Sequence, residues 1–118
     1  MEEKISTQVL DIDRRIRFAG VVTNRGEVIE GGFQQQVEPL LDQKREQQLY
    51  LDSLSAIGSL KEFSDNLGNV VYNITEYKKV ILMTIPLKEG KILCISVSPD
   101  VDIMNLKSEV FRSIGLRN

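Results

Sequence analysis

Cys94 is the only cysteine of this chain and therefore its only thiol nucleophile, but its context argues against that use. It lies within an apolar run at 92–97, where a thiol serves as a small buried hydrophobe. A nucleophilic thiol needs a base or cation nearby to form the thiolate, and the 118 residues include no histidine. A single cysteine cannot form a disulfide within the chain, which favours the reducing cytoplasm.

Several carboxylates could in principle hold a metal ion or transfer protons. Asp100 and Asp102 precede the last helical pattern, where N-capping and the helix dipole explain both without a metal. Four more lie at predicted turns and helix ends: Asp11, Asp13, Glu27 and Glu30. A general acid needs a buried carboxyl group with a raised pKa. We therefore expect no metal, no cofactor and no enzymatic activity.

Composition, charge and hydropathy further narrow the class of protein. The pair Gly31-Gly32 has no accompanying phosphate-loop pattern and predicts a flexible exit from a strand. The formal net charge of −2 argues against nucleic acid as the main partner. No apolar run reaches the roughly 20 residues that a membrane helix needs. We expect one domain, 1–118, located in the cytoplasm and not inserted in a membrane.

The stretch from Val80 to Val97 predicts the centre of the fold. Two apolar runs are joined there by Lys88, Glu89 and Gly90, which is a β-hairpin signal. Neither run alternates cleanly between apolar and polar residues. Since successive side chains of a strand point to opposite faces, both strands need cover on both sides. The hairpin should lie between helical layers.

The other elements follow from periodicity and turn residues. A short first helix, with Ser6 or Thr7 as cap, precedes strands at 16–23 and 27–30 joined by a turn at Gly26. A long helix begins near Pro39 or Asp42 and runs to residue 67. A third strand at 69–75, the hairpin and a last helix ending at residue 115 complete an α-β-β-α-β-β-β-α order.

The long helix has two apolar lines rather than one. The first line is Leu49, Ser53, Ala56, Leu60, Phe63 and Leu67, and the second is Tyr50, Leu54, Ile57 and Gly58. Packing on the protein's own sheet explains most of this apolar surface. It is wider than one sheet face needs, so contact with a partner helix is the alternative.

The element order resembles the roadblock family of dynein-light-chain-related domains, a relative of the profilin and longin folds. The hairpin from Val21 to Ile29 is the most specific likeness to that family. Four further segments resemble an uncharacterised archaeal family of similar length, over nearly the whole chain. These are Arg17-Phe18-Ala19-Gly20-Val21, Gly31-Gly32-Phe33, Pro39-Leu40-Leu41-Asp42 and Pro99-Asp100-Val101-Asp102.

The resemblance implies an α+β fold with a five-stranded antiparallel sheet in the order 2-1-5-4-3. The long helix would cover one face and the terminal helices the other. It also implies a homodimer formed through the long helix and the third strand, and a small Ras-like GTPase as partner. Carried onto this chain, the dimer interface comprises Tyr50, Ser53, Leu54, Ile57, Val71 and Tyr72.

Two functions from different classes follow. The first is a non-enzymatic interaction or scaffold module that forms a homodimer and regulates a small GTPase or another signalling protein. The second is a small-ligand sensor with a pocket between the sheet and a helix. Its candidate lining residues are Arg17, Tyr72, Tyr77 and Thr84.

Overall fold

A computed structural model describes residues 4–115 of the chain. Its helices are α1 (Ile5–Leu10), α2 (Gln43–Lys61), α3 (Ser64–Leu67) and α4 (Ile103–Ile114). Its strands are β1 (Ile16–Val22), β2 (Val28–Phe33), β3 (Asn73–Glu76), β4 (Ile81–Pro86) and β5 (Ile92–Val97). A short 3₁₀ turn, Lys88–Gly90, joins β4 to β5.

The five strands form one antiparallel sheet in the order β2-β1-β5-β4-β3. This confirms the order that the family resemblance implied. The two strands of the apolar hairpin pair directly, with Met83 opposite Ile95 and Ile85 opposite Leu93. Pro86, which has no N–H to donate, is the last residue of β4, as predicted.

β5 is the central strand and is covered on both faces. Leu93 and Ile95 pack into a core cluster with α1 and α4, whereas Ile92 and Cys94 pack on the opposite face with Tyr50 of α2. The long helix and the terminal helices therefore lie on opposite faces of the sheet, as expected.

β4 is covered less completely than predicted. Its side chains toward α1 and α4 are fully buried, but Leu82 and Pro86, on the α2 face, are only half-buried. The reason is the position of α2, whose buried side chains pack against β1 and β5. This leaves part of the sheet uncovered beside the helix.

The structure decides where the long helix begins and corrects where it ends. Asp42 is the N-cap of α2, and its Oδ1 accepts a hydrogen bond of 2.8 Å from the backbone N–H of Arg45. The predicted single helix to residue 67 is wrong, because α2 ends at Lys61. The last backbone hydrogen bonds of α2 join residues three apart rather than four, as in a 3₁₀-helix. α3 follows after a break at Phe63.

Three smaller predictions also need correction. Gly31 and Gly32 were expected to form a flexible exit from the second strand, but β2 runs through both of them to Phe33. The third strand was expected over 69–75, but β3 begins only at Asn73. Ser6 does not cap α1 with its side chain, since the N-cap is Lys4. Instead, the Ser6 backbone N–H and hydroxyl both donate to the Glu30 carboxylate, at 2.9 and 2.7 Å. This contact fixes α1 to β2.

Candidate interaction surface and ligand groove

One line of α2 faces the sheet. Tyr50 and Ile57 are buried, and Leu54 is half-buried against the same core cluster. The Tyr50 ring stacks on Phe18 with 5.8 Å between ring centroids, and its hydroxyl donates to Glu46 over 2.7 Å. These side chains hold the helix on its own protomer.

The other apolar line is exposed in its second half, from residue 60 onward. We call outer face the exposed apolar side chains of Leu60, Phe63, Leu67 and Val71. They are 46%, 55%, 82% and 37% exposed, respectively. The backbone N–H of Phe63 donates to the carbonyl of Leu60, and that of Leu67 donates to the carbonyl of Phe63. These hydrogen bonds place the three residues on consecutive turns. A row of large apolar side chains this exposed is typical of a surface that another protein covers.

The outer face leads directly to an open sheet edge. Val71 precedes β3, which pairs with β4 alone, so the other side of β3 has unpaired backbone groups. β2 forms the second sheet edge. A register shift opposite Val21 and Val22, together with Gly31 at φ +95°, interrupts β2. Bulges and irregular backbone discourage strand addition, so β3 is the better edge for pairing.

The structure separates the six predicted interface residues. Tyr50, Leu54 and Ile57 belong to the sheet-facing line, and burial of Tyr50 and Ile57 gives them a role in the protomer's own core. Tyr72 packs on the other sheet face, edge-on to Phe111 at 6.0 Å between ring centroids. Ser53 and Val71 remain accessible. The interface itself stays a prediction, and of its six residues Val71 belongs to the outer face.

A groove of about 940 Å³ opens between the first half of α2 and the sheet. It exists because α2 does not cover β4. Leu49 and Ser53 form its helix side, and Leu82 and Thr84 contribute from β4. Among the predicted pocket residues, Arg17, Tyr77 and Thr84 line this groove, while Tyr72 lies on the opposite face. The sequence therefore predicted three of the lining residues. It did not predict that α2 would leave a strip of the sheet uncovered.

Cations surround the groove. The cationic lining residues are Arg17, Lys44, Arg45, Lys78 and Lys79, whereas its acidic residues are Glu46 and Asp52. Within residues 4–115, the two side-chain salt bridges are Arg15–Asp13 and Lys91–Glu89, so the cations of the groove have no ionic partner there. The sequence contains one signal of this charge cluster, the pair Lys44-Arg45. It lies in the first turn of α2, where the helix dipole disfavours positive charge.

Several carboxylates that were considered for chemistry have structural partners within residues 4–115. The Arg15 guanidinium donates two hydrogen bonds to Asp13 and lowers the pKa of that carboxyl group, the reverse of what a general acid needs. In the described part of the chain, no group of three or more carboxylate or thiol side chains could hold a metal ion. Asp102 caps α4, accepting from the backbone N–H of Asn105 at 3.2 Å.

Cys94 should make the protein less stable at alkaline pH. Burial raises the pKa of its thiol from 9.0 to about 12. Above about pH 9 the unfolded chain therefore loses a proton that the folded chain keeps, and the free energy of unfolding falls as pH rises. Urea unfolding can be measured from about pH 8 to about pH 10. Over this range the free energy of unfolding should fall less for Cys94→Ala than for the native sequence. Equal falls for both proteins would contradict the buried thiol.

Solved structures with a similar fold include a Roadblock/LC7 domain and MglB proteins. A Roadblock/LC7 domain from Streptomyces avermitilis is 15% identical, with a TM-score of 0.66 over 94% of this chain and 89% of that one. MglB in a tetrameric arrangement is 13% identical, with a TM-score of 0.74 over 92% and 79%. The gliding protein MglB from Thermus thermophilus is 11% identical, with a TM-score of 0.68 over 96% and 87%. None of the curated protein sequences matches this chain.

Sheet order, helix placement and these similarities define a roadblock-like fold. At the level of sequence, the chain belongs to the Family of unknown function (DUF6659), whose model matches residues 2–117. Between residues 4 and 115 no helix is both long and apolar enough to cross a bilayer.

Proposed function

We propose that this protein is a non-enzymatic interaction module that forms a homodimer through the outer face and the β3 edge. The observation that carries the proposal is the continuity of these two features. Large apolar side chains of α2 and α3 lead through Val71 to a strand with one unpaired side. A second copy related by a twofold axis would bury the apolar row and pair the two β3 edges at once.

The chemistry of the accessible surface supports an interaction rather than a reaction. The outer face has apolar side chains, and it lacks the convergent polar and titratable groups that an active site uses. The thiol and Asp13 both have pKa values shifted away from catalytic use. Apolar burial of this kind is the main driving force of stable association.

The paired substitution Leu60→Asp with Phe63→Asp should convert the dimer into a monomer. Two carboxylates would have to be buried without partners in the interface, whereas both positions are exposed in the protomer, which should still fold. Light scattering after gel filtration should give the native protein twice the 13.4 kDa chain mass and the variant the chain mass.

A matched control is available on the opposite side of the molecule. Met104 on α4 is also apolar and is 51% exposed, so Met104→Asp introduces one carboxylate, half the charge of the paired variant, away from the outer face and should leave the dimer intact. A native protein that is monomeric at tens of micromolar would overturn the proposal. Loss of the dimer in Met104→Asp as well would place the interface elsewhere.

The family resemblance extends the proposal to a small Ras-like GTPase as partner. A fold alone does not fix a function, so this step needs its own test. Purified Ras-like GTPases from the same organism, loaded with fluorescent GDP or a GTP analogue, would be titrated with the native dimer. Binding in one nucleotide state should raise the fluorescence anisotropy. No change with any of these GTPases in either state would contradict this partner and leave the dimer unaffected.

A further inference from the structure

The groove beside α2 has three properties that do not follow from dimer formation. Its volume of about 940 Å³ is in the range of pockets that bind small molecules, roughly 300–1,000 Å³. Much of its lining is apolar, including Phe18 and Phe33 under the helix and Leu82 on β4. It lies where β4 begins and β5 ends.

The groove and the outer face lie toward different ends of the sheet. Gly58 and Lys61, in the second half of α2, line a shallow hollow together with Asn24 and Gly90. Those two residues belong to the β1–β2 and β4–β5 turns, at the end opposite the groove. A ligand in the groove and a second copy on the outer face would therefore use different parts of α2.

The charge around the groove is opposite to that of the whole chain. The protein has a formal net charge of −2, yet five of its cationic side chains line this one feature, against two acidic ones. Glu46 is already engaged by the Tyr50 hydroxyl at 2.7 Å. Arg17 donates to the neutral backbone carbonyl of Glu38, which leaves its charge uncompensated.

The cations come from two elements on either side of the opening. Lys44 and Arg45 are in the first turn of α2, where their charge adds to the positive end of the helix dipole. Lys78 and Lys79 are exposed on the connection from β3 to β4. An anion between these pairs would relieve repulsion that the described residues do not neutralise.

A hydroxyl group in the wall of the groove offers a ligand a hydrogen-bond partner besides the charges. Thr84 lies on β4, is only 7% exposed and lines the groove. Its hydroxyl makes no hydrogen bond within residues 4–115. None of the buried side-chain polar atoms in the described residues lacks a partner, so this hydroxyl is reached by water from the groove. An oxygen atom of a bound molecule would replace that water as its partner.

We propose that this groove binds a small amphiphile with one anionic head group and a hydrocarbon tail. The head group, a carboxylate or a phosphate monoester, would lie between the two cationic pairs and within reach of hydroxyl donors. The tail would lie along the apolar strip of sheet that α2 leaves uncovered. Charge selects the head group, and burial of the tail supplies most of the affinity.

Calorimetric titration of the full chain tests this proposal with four probes below their micelle concentrations. Decanoate and decyl phosphate share a tail and differ in head group, so their relative affinities show which anion the site prefers. Decyltrimethylammonium has the same tail with a cationic head, and acetate has the head without the tail. We expect at least one of the two anionic amphiphiles to bind about tenfold or more tightly than either control. Equal binding of the anionic and cationic amphiphiles, or no binding, would overturn the proposal.

Two variants locate the site. Lys78→Glu with Lys79→Glu should weaken binding of the preferred anion about tenfold. The control pair, Lys61→Glu with Arg112→Glu, changes the net charge equally outside the groove and should bind normally. Thr84→Val retains the shape of the side chain without its hydroxyl and should weaken binding by a smaller factor. Equal losses in both charge-reversed pairs would show that the effect is general.

The dimer and the ligand are tested separately by varying protein concentration. If both proposals hold, the anion binds with the same affinity at concentrations where the protein is monomeric and dimeric. Amide resonances of Thr84 and Ser96, which line the groove, should shift in both cases. Binding that disappears as the dimer forms would show that a second copy fills the groove, and would overturn the ligand site while supporting self-association.

Discussion

Replacing Gly31 with alanine will destabilise the protein by about 3–5 kcal/mol, a large part of the stability expected for a domain of this size. Gly31 has φ +95°, which L-residues with a side chain rarely adopt. An added Cβ would lie 2.1 Å from the carbonyl oxygen of Ala19 and 2.8 Å from both the Cα of Gly20 and the Cβ of Ser6. Neither backbone group can move without disturbing the pairing of β1 with β2.

The adjacent glycine supplies the control for this prediction. A Cβ added at Gly32 would meet nothing within 4 Å, and the residue has no positive φ. Gly32→Ala should therefore be neutral or stabilise the protein by up to about 1 kcal/mol, through lower entropy of the unfolded chain. Urea denaturation of both variants measures the difference. Similar stabilities would contradict the close approach of β1, β2 and α1 at Gly31.

Leu93→Ala should lower the free energy of unfolding by about 2–5 kcal/mol. Leu93 is fully buried in β5, between Ile85 of β4 and Val21 of β1 in the register of the sheet. Its removal leaves a cavity in the centre of the fold, where neighbouring strands on both sides limit relaxation.

Ile29→Ala removes a side chain of equal size from an exposed position. Ile29 lies in β2 and is 53% exposed, so we expect a loss below about 1 kcal/mol. Chemical denaturation of the two alanine variants gives the comparison. A larger loss at Ile29 than at Leu93 would contradict the assignment of β5 as the centre of the sheet.

Most of the fold could be predicted because its main signals are local. Consecutive apolar residues in β5 required cover on both faces, and residues such as Gly26 and Pro86 marked turns and strand ends. Gly26 has φ +81°, as its predicted turn position requires. The strand order, by contrast, could not be predicted from local signals. It came from the resemblance to a family, since hairpin signals do not specify which strands become neighbours across the sheet.

The candidate sites were harder to predict because they depend on what is left uncovered. Tyr50 and Leu60 both belong to apolar lines of α2 in the sequence, but one is buried and the other is 46% exposed. Periodicity shows that a helix is apolar on two sides without showing which side its own sheet covers. The groove has the same origin. Lys44 and Lys78 are far apart in the sequence, and only the fold brings them to one opening.

Hydrogen–deuterium exchange across a dilution series tests the central claim most directly, because it reports both whether copies associate and where. If the outer face and the β3 edge form the dimer interface, amides between Leu60 and Glu76 will become more protected as protein concentration rises. Amides of β2 and α4 will not change. Exchange between Leu60 and Glu76 that is independent of concentration, or protection confined to β2, would contradict the account.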